Sequence, residues 1–290
     1  MQSGFVDTAA GRFAYVERGP PAGRLVVCLH GFPDHPESFA PLLERLGAAG
    51  YRAVAPWMRG YAPSVLDGPY DAGQLADDAV AIGRALGGPF ALVGHDWGAV
   101  AAWVACARAP EDMACAVTMA VPHPLAFLRH VSRRPGQLRR SWYMAFFQLR
   151  WIAERVAARG DFALIDRLWR AWSPGFELDD GARRRLHECL AASMPAPLEY
   201  YRALPRSAAL VRWLRAPEHA VGVPVLNLHG ERDGCIDPAA TRGQRHHIDG
   251  PFECELIAGA GHFLHLEQPG QVAGRVLHWL RMYFPSLACR

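Results

Sequence analysis

Short apolar runs alternate along this chain with longer stretches whose apolar positions recur every three or four residues. Phe5 to Thr8 and Phe13 to Glu17 predict two short amphipathic strands. Leu25-Val26-Val27-Cys28-Leu29 is apolar throughout, as a strand covered on both faces would be. Helices are predicted from Ser38 to Ala48 and from Ala72 to Leu86, separated by a strand ending at Val54-Ala55. Phe90 to Val93 predicts another buried strand, and a run of small residues from Ala99 to Ala107 a helix. Later strands are predicted at Ala114 to Val121, Val225 to His229 and Glu253 to Ile257, with a closing helix from Val272 to Tyr283. This alternation implies an α/β fold with a mostly parallel, doubly wound sheet covered by helices on both faces.

Residues 123 to 220 break the rhythm. They are rich in Trp, Arg and Leu at helical spacing and show no strand-like alternation. The expected organisation is therefore a core in two parts, 1–122 and 221–290, with 123–220 inserted as a helical cap. The insert holds 17 Arg against 9 Asp plus Glu, so it is basic while the remainder is acidic. Its arginines follow no obvious helical stripe. A solvated face is the expected reading, ahead of an anion-binding surface or a membrane-docking one.

Composition removes several chemistries. At 290 residues and 51% hydrophobic, the chain can bury a large core. It contains no lysine, which excludes Schiff-base lysine and Walker-type phosphate binding. Seven cysteines include no C-x-x-C pair; Cys28, Cys106 and Cys254 read as core thiols in a reducing compartment. Met1 to Arg12 lacks a signal-like start, and no uncharged apolar run reaches the ~18 residues of a membrane span. A cytoplasmic location is expected, with no nucleic-acid partner. Oligomeric state cannot be read from the sequence.

Between the predicted strand at Phe90 and the helix at Ala99 lies Gly94-His95-Asp96-Trp97-Gly98. This is the setting of a nucleophile elbow, with glycines where the turn is too tight for side chains, but with aspartate where serine is usual. A serine alkoxide attacks acyl carbon. A carboxylate suits saturated carbon bearing a leaving group, as in an epoxide or alkyl halide, and forms an ester on the enzyme. Water must then cleave that ester, with a base, an orienting acid and oxyanion donors. His262, on the loop Gly259-Ala260-Gly261-His262-Phe263, is the candidate base, ahead of His265. Asp233 is the candidate acid; Glu231 and Asp237 compete, Asp237 reading as a helix N-cap before Pro238. The amides of Trp97 and Phe32 are the candidate oxyanion donors, since Pro33 has no N–H. No metal or organic cofactor is required.

In these features the chain resembles the α/β-hydrolase-fold epoxide hydrolases of the soluble type. The resemblance runs through His30-Gly31-Phe32-Pro33, Arg59-Gly60-Tyr61, the pentad, Val121-Pro122-His123-Pro124 and Gly261-His262-Phe263. It implies two cap tyrosines that activate the epoxide oxygen. Tyr143 fits a Tyr-x-x-aromatic-Phe-Gln segment ending at Gln148. Tyr201 fits an aromatic-Tyr-Arg segment, in preference to Tyr200. Asp34 stands where Glu commonly follows the proline, outside the expected chemistry. The implied substrates are a small apolar epoxide and water.

Two other readings share part of this pattern. Haloalkane dehalogenases share this kind of elbow, but several carry Asn where this chain has Phe32, and fluoroacetate dehalogenases typically carry Arg where Trp97 stands. A binding protein that kept the pocket but lost turnover would have no need of Asp96, Asp233 and His262 together.

Overall fold

Along the central strands successive side chains point to opposite faces. Val26 and Cys28 join one buried cluster and Leu25, Val27 and Leu29 the other. A computed structural model describes residues 1–216 and 219–287 of the chain. Its eight strands are β1 (Gln2–Thr8), β2 (Gly11–Arg18), β3 (Arg24–Leu29), β4 (Tyr51–Pro56), β5 (Phe90–His95), β6 (Met113–Met119), β7 (Val225–Gly230) and β8 (Phe252–Ile257). They form one sheet in the order β1-β2-β4-β3-β5-β6-β7-β8, antiparallel over the first three and parallel beyond.

α1 (Ala40–Ala48) and α12 (Pro269–Tyr283) cover one face, while α2 (Ala72–Leu86) and α3 (Trp97–Arg108) cover the other. α12 carries Gly270 and Gly274, poor helix formers. Burial of Val272, Val276, Trp279 and Leu280 holds it in place, at about 1.5–3 kcal/mol for a large apolar side chain. Packing outweighs propensity here. α1 starts later than the expected Ser38, because a 3-10 turn over Pro36–Phe39 precedes it. Cys254 departs from expectation: it is exposed, because β8 is an edge strand with one face open to solvent.

Between β6 and β7 the described residues form α4 (Pro124–Arg133), α5 (Pro135–Arg140), α6 (Trp142–Phe146), α7 (Ile152–Trp172), α8 (Asp180–Ser193), α9 (Ala196–Ala203) and α10 (Ala208–Leu214). Residues 217 and 218 of the expected insert lie outside the described residues. α7 is interrupted at Arg159 to Phe162, where Gly160, Asp161 and Phe162 take positive φ. No described helix is long and apolar enough to cross a membrane.

Arg59 anchors the loop after β4 from within. Its Nε and Nη2 donate to the two oxygens of Asp78 on α2, both at 2.7 Å, with both side chains buried. Removing one member of such a pair strands the other charge in a dry interior. Arg59→Met is therefore expected to lower unfolding stability by about 3–5 kcal/mol, read from the midpoint of a denaturant titration. A loss below about 1 kcal/mol would show that Asp78 finds another partner.

Candidate active site

Four loops at the carboxyl ends of β3, β5, β7 and β8 converge, and each delivers one expected site residue. β5 runs directly into α3, so the chain reverses within Asp96, at φ 50° and ψ −117°. A Cβ on Gly94 would run into the Gly98 carbonyl, and one on Gly98 into the Leu29 and His30 carbonyls. Both glycines are there for close backbone approach. Strain at Asp96, of order 1–3 kcal/mol for such a conformation, lifts its carboxylate clear of the sheet.

The Phe32 N–H donates to Asp96 Oδ1 at 2.8 Å. Trp97, the first residue of α3, supplies one of the four amides that a helix start leaves open. The His30 ring steadies the Phe32 loop: Nε2 accepts from the Met58 N–H at 3.1 Å and Nδ1 donates to the Gly31 carbonyl at 2.9 Å. Burial drives the His30 pKa down to about 3, so this bridge is neutral.

His262 stands between two carboxylates. Its Nδ1 is 2.9 Å from Asp233 Oδ2 and its Nε2 is 3.5 Å from Asp96 Oδ2. A carboxylate only accepts, so Nδ1 carries the proton and Nε2 faces Asp96. Burial works to lower the His262 pKa. The Asp233 charge and hydrogen bonds to Asp233 and Asp96 outweigh it and lift the value to about 10. Asp233 Oδ1 accepts from the N–H groups of Cys235 (2.7 Å) and Ile236 (2.9 Å). Burial acts to raise its pKa, but His262, His229 and the Ile236 amide together leave it lowered.

The competing acids are committed elsewhere. Asp237 caps the 3-10 turn Pro238–Thr241 by accepting from the Ala239 N–H at 3.0 Å, and Glu231 accepts from the Gly259 N–H at 3.3 Å. His265 sits behind the site beside Asp34, 3.9 Å away, and its ring packs on His95.

Tyr143 on α6 and Tyr201 on α9 meet edge to face at 5.4 Å, and Tyr201 also lies against Trp97 and Phe32. Burial, with a further push from the Asp96 charge, raises both phenols well above their usual pKa, so both stay protonated. The Tyr143 hydroxyl lies 3.3 Å from Cys235 Sγ. The buried Tyr201 hydroxyl makes no hydrogen bond of good geometry. Its neighbour Tyr200 differs: its hydroxyl is committed, donating to the Arg59 carbonyl.

Several contributors carried no local signal. The Trp172 carbonyl, at the end of α7, accepts from the N–H of Gly234 at 2.9 Å and of His262 at 3.1 Å. Arg140 on α5 donates to the Asp233 carbonyl. His95 Nε2 donates to the His262 carbonyl at 2.9 Å. Burial lifts Asp34 to about 7. Asp34, His95 and His265 offer ligand atoms within 4.8 Å of one another. Asp34 is already held by the Ser38 hydroxyl and the His35 N–H, and His95 by the His262 carbonyl. The cluster therefore reads as support behind Asp96 and His262.

A model of the alpha/beta hydrolase family matches residues 26–275. Epoxide hydrolase 3 of Xenopus tropicalis is 30% identical over 285 residues, spanning 94% of this chain and 76% of that protein. Epoxide hydrolase A of Mycobacterium tuberculosis is 30% identical over 322 residues, spanning 95% and 96%. Among solved structures, epoxide hydrolase A from Mycobacterium thermoresistibile matches with a TM-score of 0.79 at 26% identity, covering 97% of this chain and 98% of that one. The Bacillus megaterium epoxide hydrolase, solved with an inhibitor, shares the fold at a TM-score of 0.85 and 24% identity, covering 96% and 100%.

Proposed function

Because the chain belongs to the alpha/beta hydrolase family, among its epoxide hydrolases, we propose that it opens an apolar epoxide with water through a covalent ester on Asp96. The observation that carries this reading is the Asp96 carboxylate at the elbow, held by the Phe32 amide and backed by His262. Asp96 attacks an epoxide carbon, the carbon–oxygen bond breaks, and the departing oxygen takes a proton from Tyr143 or Tyr201. An alkoxide as basic as hydroxide leaves poorly without that proton, and a buried phenol keeps one to give. The Tyr201 hydroxyl supports this role: it is buried against Trp97 and Tyr143 and makes no hydrogen bond of good geometry, which leaves it available to a bound epoxide oxygen.

Ester formation consumes the negative charge of Asp96. His262 then faces one carboxylate instead of two, sheds its proton more readily and can draw one from water. The proton that His262 sheds restores the phenol that opened the ring. Hydroxide then adds to the ester carbon, and the amides of Phe32 and Trp97 hold the developing oxyanion. Collapse expels the alkoxide, which takes the proton of the newly formed carboxyl to give a vicinal diol and ionised Asp96. Asp233 fixes the imidazole tautomer throughout. Residues 123–220 act as the cap over this site, lining it with Tyr143, Phe147 and Tyr201. The protein works in the cytoplasm, where its thiols stay reduced.

The direct test is a single turnover in heavy-oxygen water. The first diol is expected to carry only unlabelled oxygen, with the label left in the Asp96 carboxylate, read by peptide mass spectrometry. Label in the first diol would mean that water attacks the epoxide directly, and the ester mechanism would fall.

A further inference from the structure

Exposed large apolar side chains are not spread evenly over this molecule. Leu138, Trp142, Leu149, Trp151, Ile152 and Val156 follow one another along α5, α6 and the start of α7. Trp151 is the extreme case: it is 79% exposed, on a backbone at φ 69° that an L residue rarely adopts. The fold accepts strain to hold an indole in water.

Charge is gathered in the same place. Residues 123–160 hold eight arginines and a single carboxylate, Glu154, which is committed to Arg202 at 2.8 Å. Of the eight, Arg140 turns inward to the Asp233 carbonyl and Arg150 pairs with Glu199. On α4, which runs directly into α5, a recess is lined by Arg129, His130, Arg133 and Arg134 and closed by Arg242 and His246 from the loop after β7. Among the described residues, no carboxylate lies within 4 Å of any of these four guanidinium groups, while His130 faces Asp237 at 3.2 Å. Ala126, Arg129, His130 and Arg133 lie along one face of α4, where Arg242 joins them from the loop after β7, and α5 packs on α4.

We propose that this face, apolar along α5–α7 and basic along α4, docks the protein on an anionic lipid bilayer. Tryptophan suits the headgroup level, and arginines can reach lipid phosphates while their stems lie on apolar surface. A second copy of the chain is the weaker occupant, since a twofold contact would set this positive face against itself. Docking is independent of the chemistry proposed above. One consequence rests on that chemistry: α6 points Trp142 outward and Tyr143 inward, so apolar substrate dissolved in the membrane would reach the site across a single short helix.

Vesicle co-sedimentation tests the proposal on the full chain. Native protein is expected to pellet with mixed phosphatidylcholine–phosphatidylglycerol vesicles and to stay in solution with phosphatidylcholine alone. A Trp151→Ser/Ile152→Ser variant and an Arg133→Gln/Arg134→Gln variant should each weaken binding by about tenfold or more, and added salt should reverse it. All four positions are solvent-facing, so an unchanged circular dichroism melt certifies folding, and epoxide turnover in detergent-free buffer reports the chemistry separately. Native protein that ignores anionic vesicles, or variants that bind as well as native, would overturn the proposal. So would a Trp151-dependent dimer in light scattering, which would assign the face to self-association.

Discussion

Replacing His262 with glutamine is expected to halt the reaction after its first chemical step and leave Asp96 esterified. Incubated with styrene oxide, His262→Gln should gain the whole mass of the epoxide, located on the peptide that holds Asp96. Incubated with 1-bromobutane it should gain nothing, because neither Phe32 nor its neighbours provide the halide-binding Asn that dehalogenases of similar fold carry. Steady-state turnover should fall by at least the ~10²–10⁴-fold that a positioned general base contributes. An adduct from the bromide alone, lacking bromine, would move the protein to dehalogenase chemistry.

The same histidine sets a pH dependence. With Asp96 ionised, His262 is held up to about 10 by the two carboxylates. In the ester only Asp233 remains, so the imidazole titrates lower, and below that value it cannot act as base. Acid-quenched mass spectra of native enzyme at steady state should therefore show more ester as pH falls below neutral. A constant ester fraction across pH would remove His262 from the second step. Folding is linked to the same group. Its folded pKa lies above the ordinary 6.5, so the stability it contributes is complete below about 6.5 and is lost as pH rises through about 10. The melting-temperature gap between native and His262→Gln proteins should accordingly narrow over that interval.

Removing both phenolic protons gives the second large effect. Tyr143→Phe/Tyr201→Phe keeps the edge-to-face ring packing and deletes only the two hydroxyls, one near Cys235 Sγ and one without a hydrogen bond of good geometry. Stability should change little, since no well-formed hydrogen bond is lost at Tyr201. Epoxide opening should slow by about 10²–10⁴-fold, seen as loss of the burst of ester formation in rapid-quench experiments. Tyr200→Phe is the control. It leaves the Arg59 carbonyl unpaired and should lower stability by about 1–3 kcal/mol while sparing the ring-opening rate. Equal rate losses from Tyr200→Phe and Tyr201→Phe would erase the distinction between the neighbours.

Much of this was legible in the sequence, for physical reasons that differ by residue. The strands were visible because a buried parallel sheet needs unbroken apolar runs, as at Leu25 to Leu29. Asp96 and His262 were visible because tight loops demand glycines at fixed offsets. Asp233 was one of three nearby carboxylates, and only the positions of their acceptor contacts separate it from Asp237 and Glu231. Cys254 looks like a core thiol in the sequence because the pattern along a strand does not reveal whether the sheet continues beyond it. The contacts of the Trp172 carbonyl and the approach of Arg242 to the arginines of α4 depend on long-range packing. A backbone acceptor has no sequence signature, and the approach of a distant loop to a helix has no period.

That carbonyl has a consequence for engineering. Because one oxygen at the end of α7 accepts from both the Asp233 loop and the His262 loop, the helical insert is no detachable module. Grafting the insert of a relative to alter substrate range would also redraw the alignment of acid and base. Chimeras cut after Trp172 should inherit a working pair, while those cut before it should need the junction rebuilt.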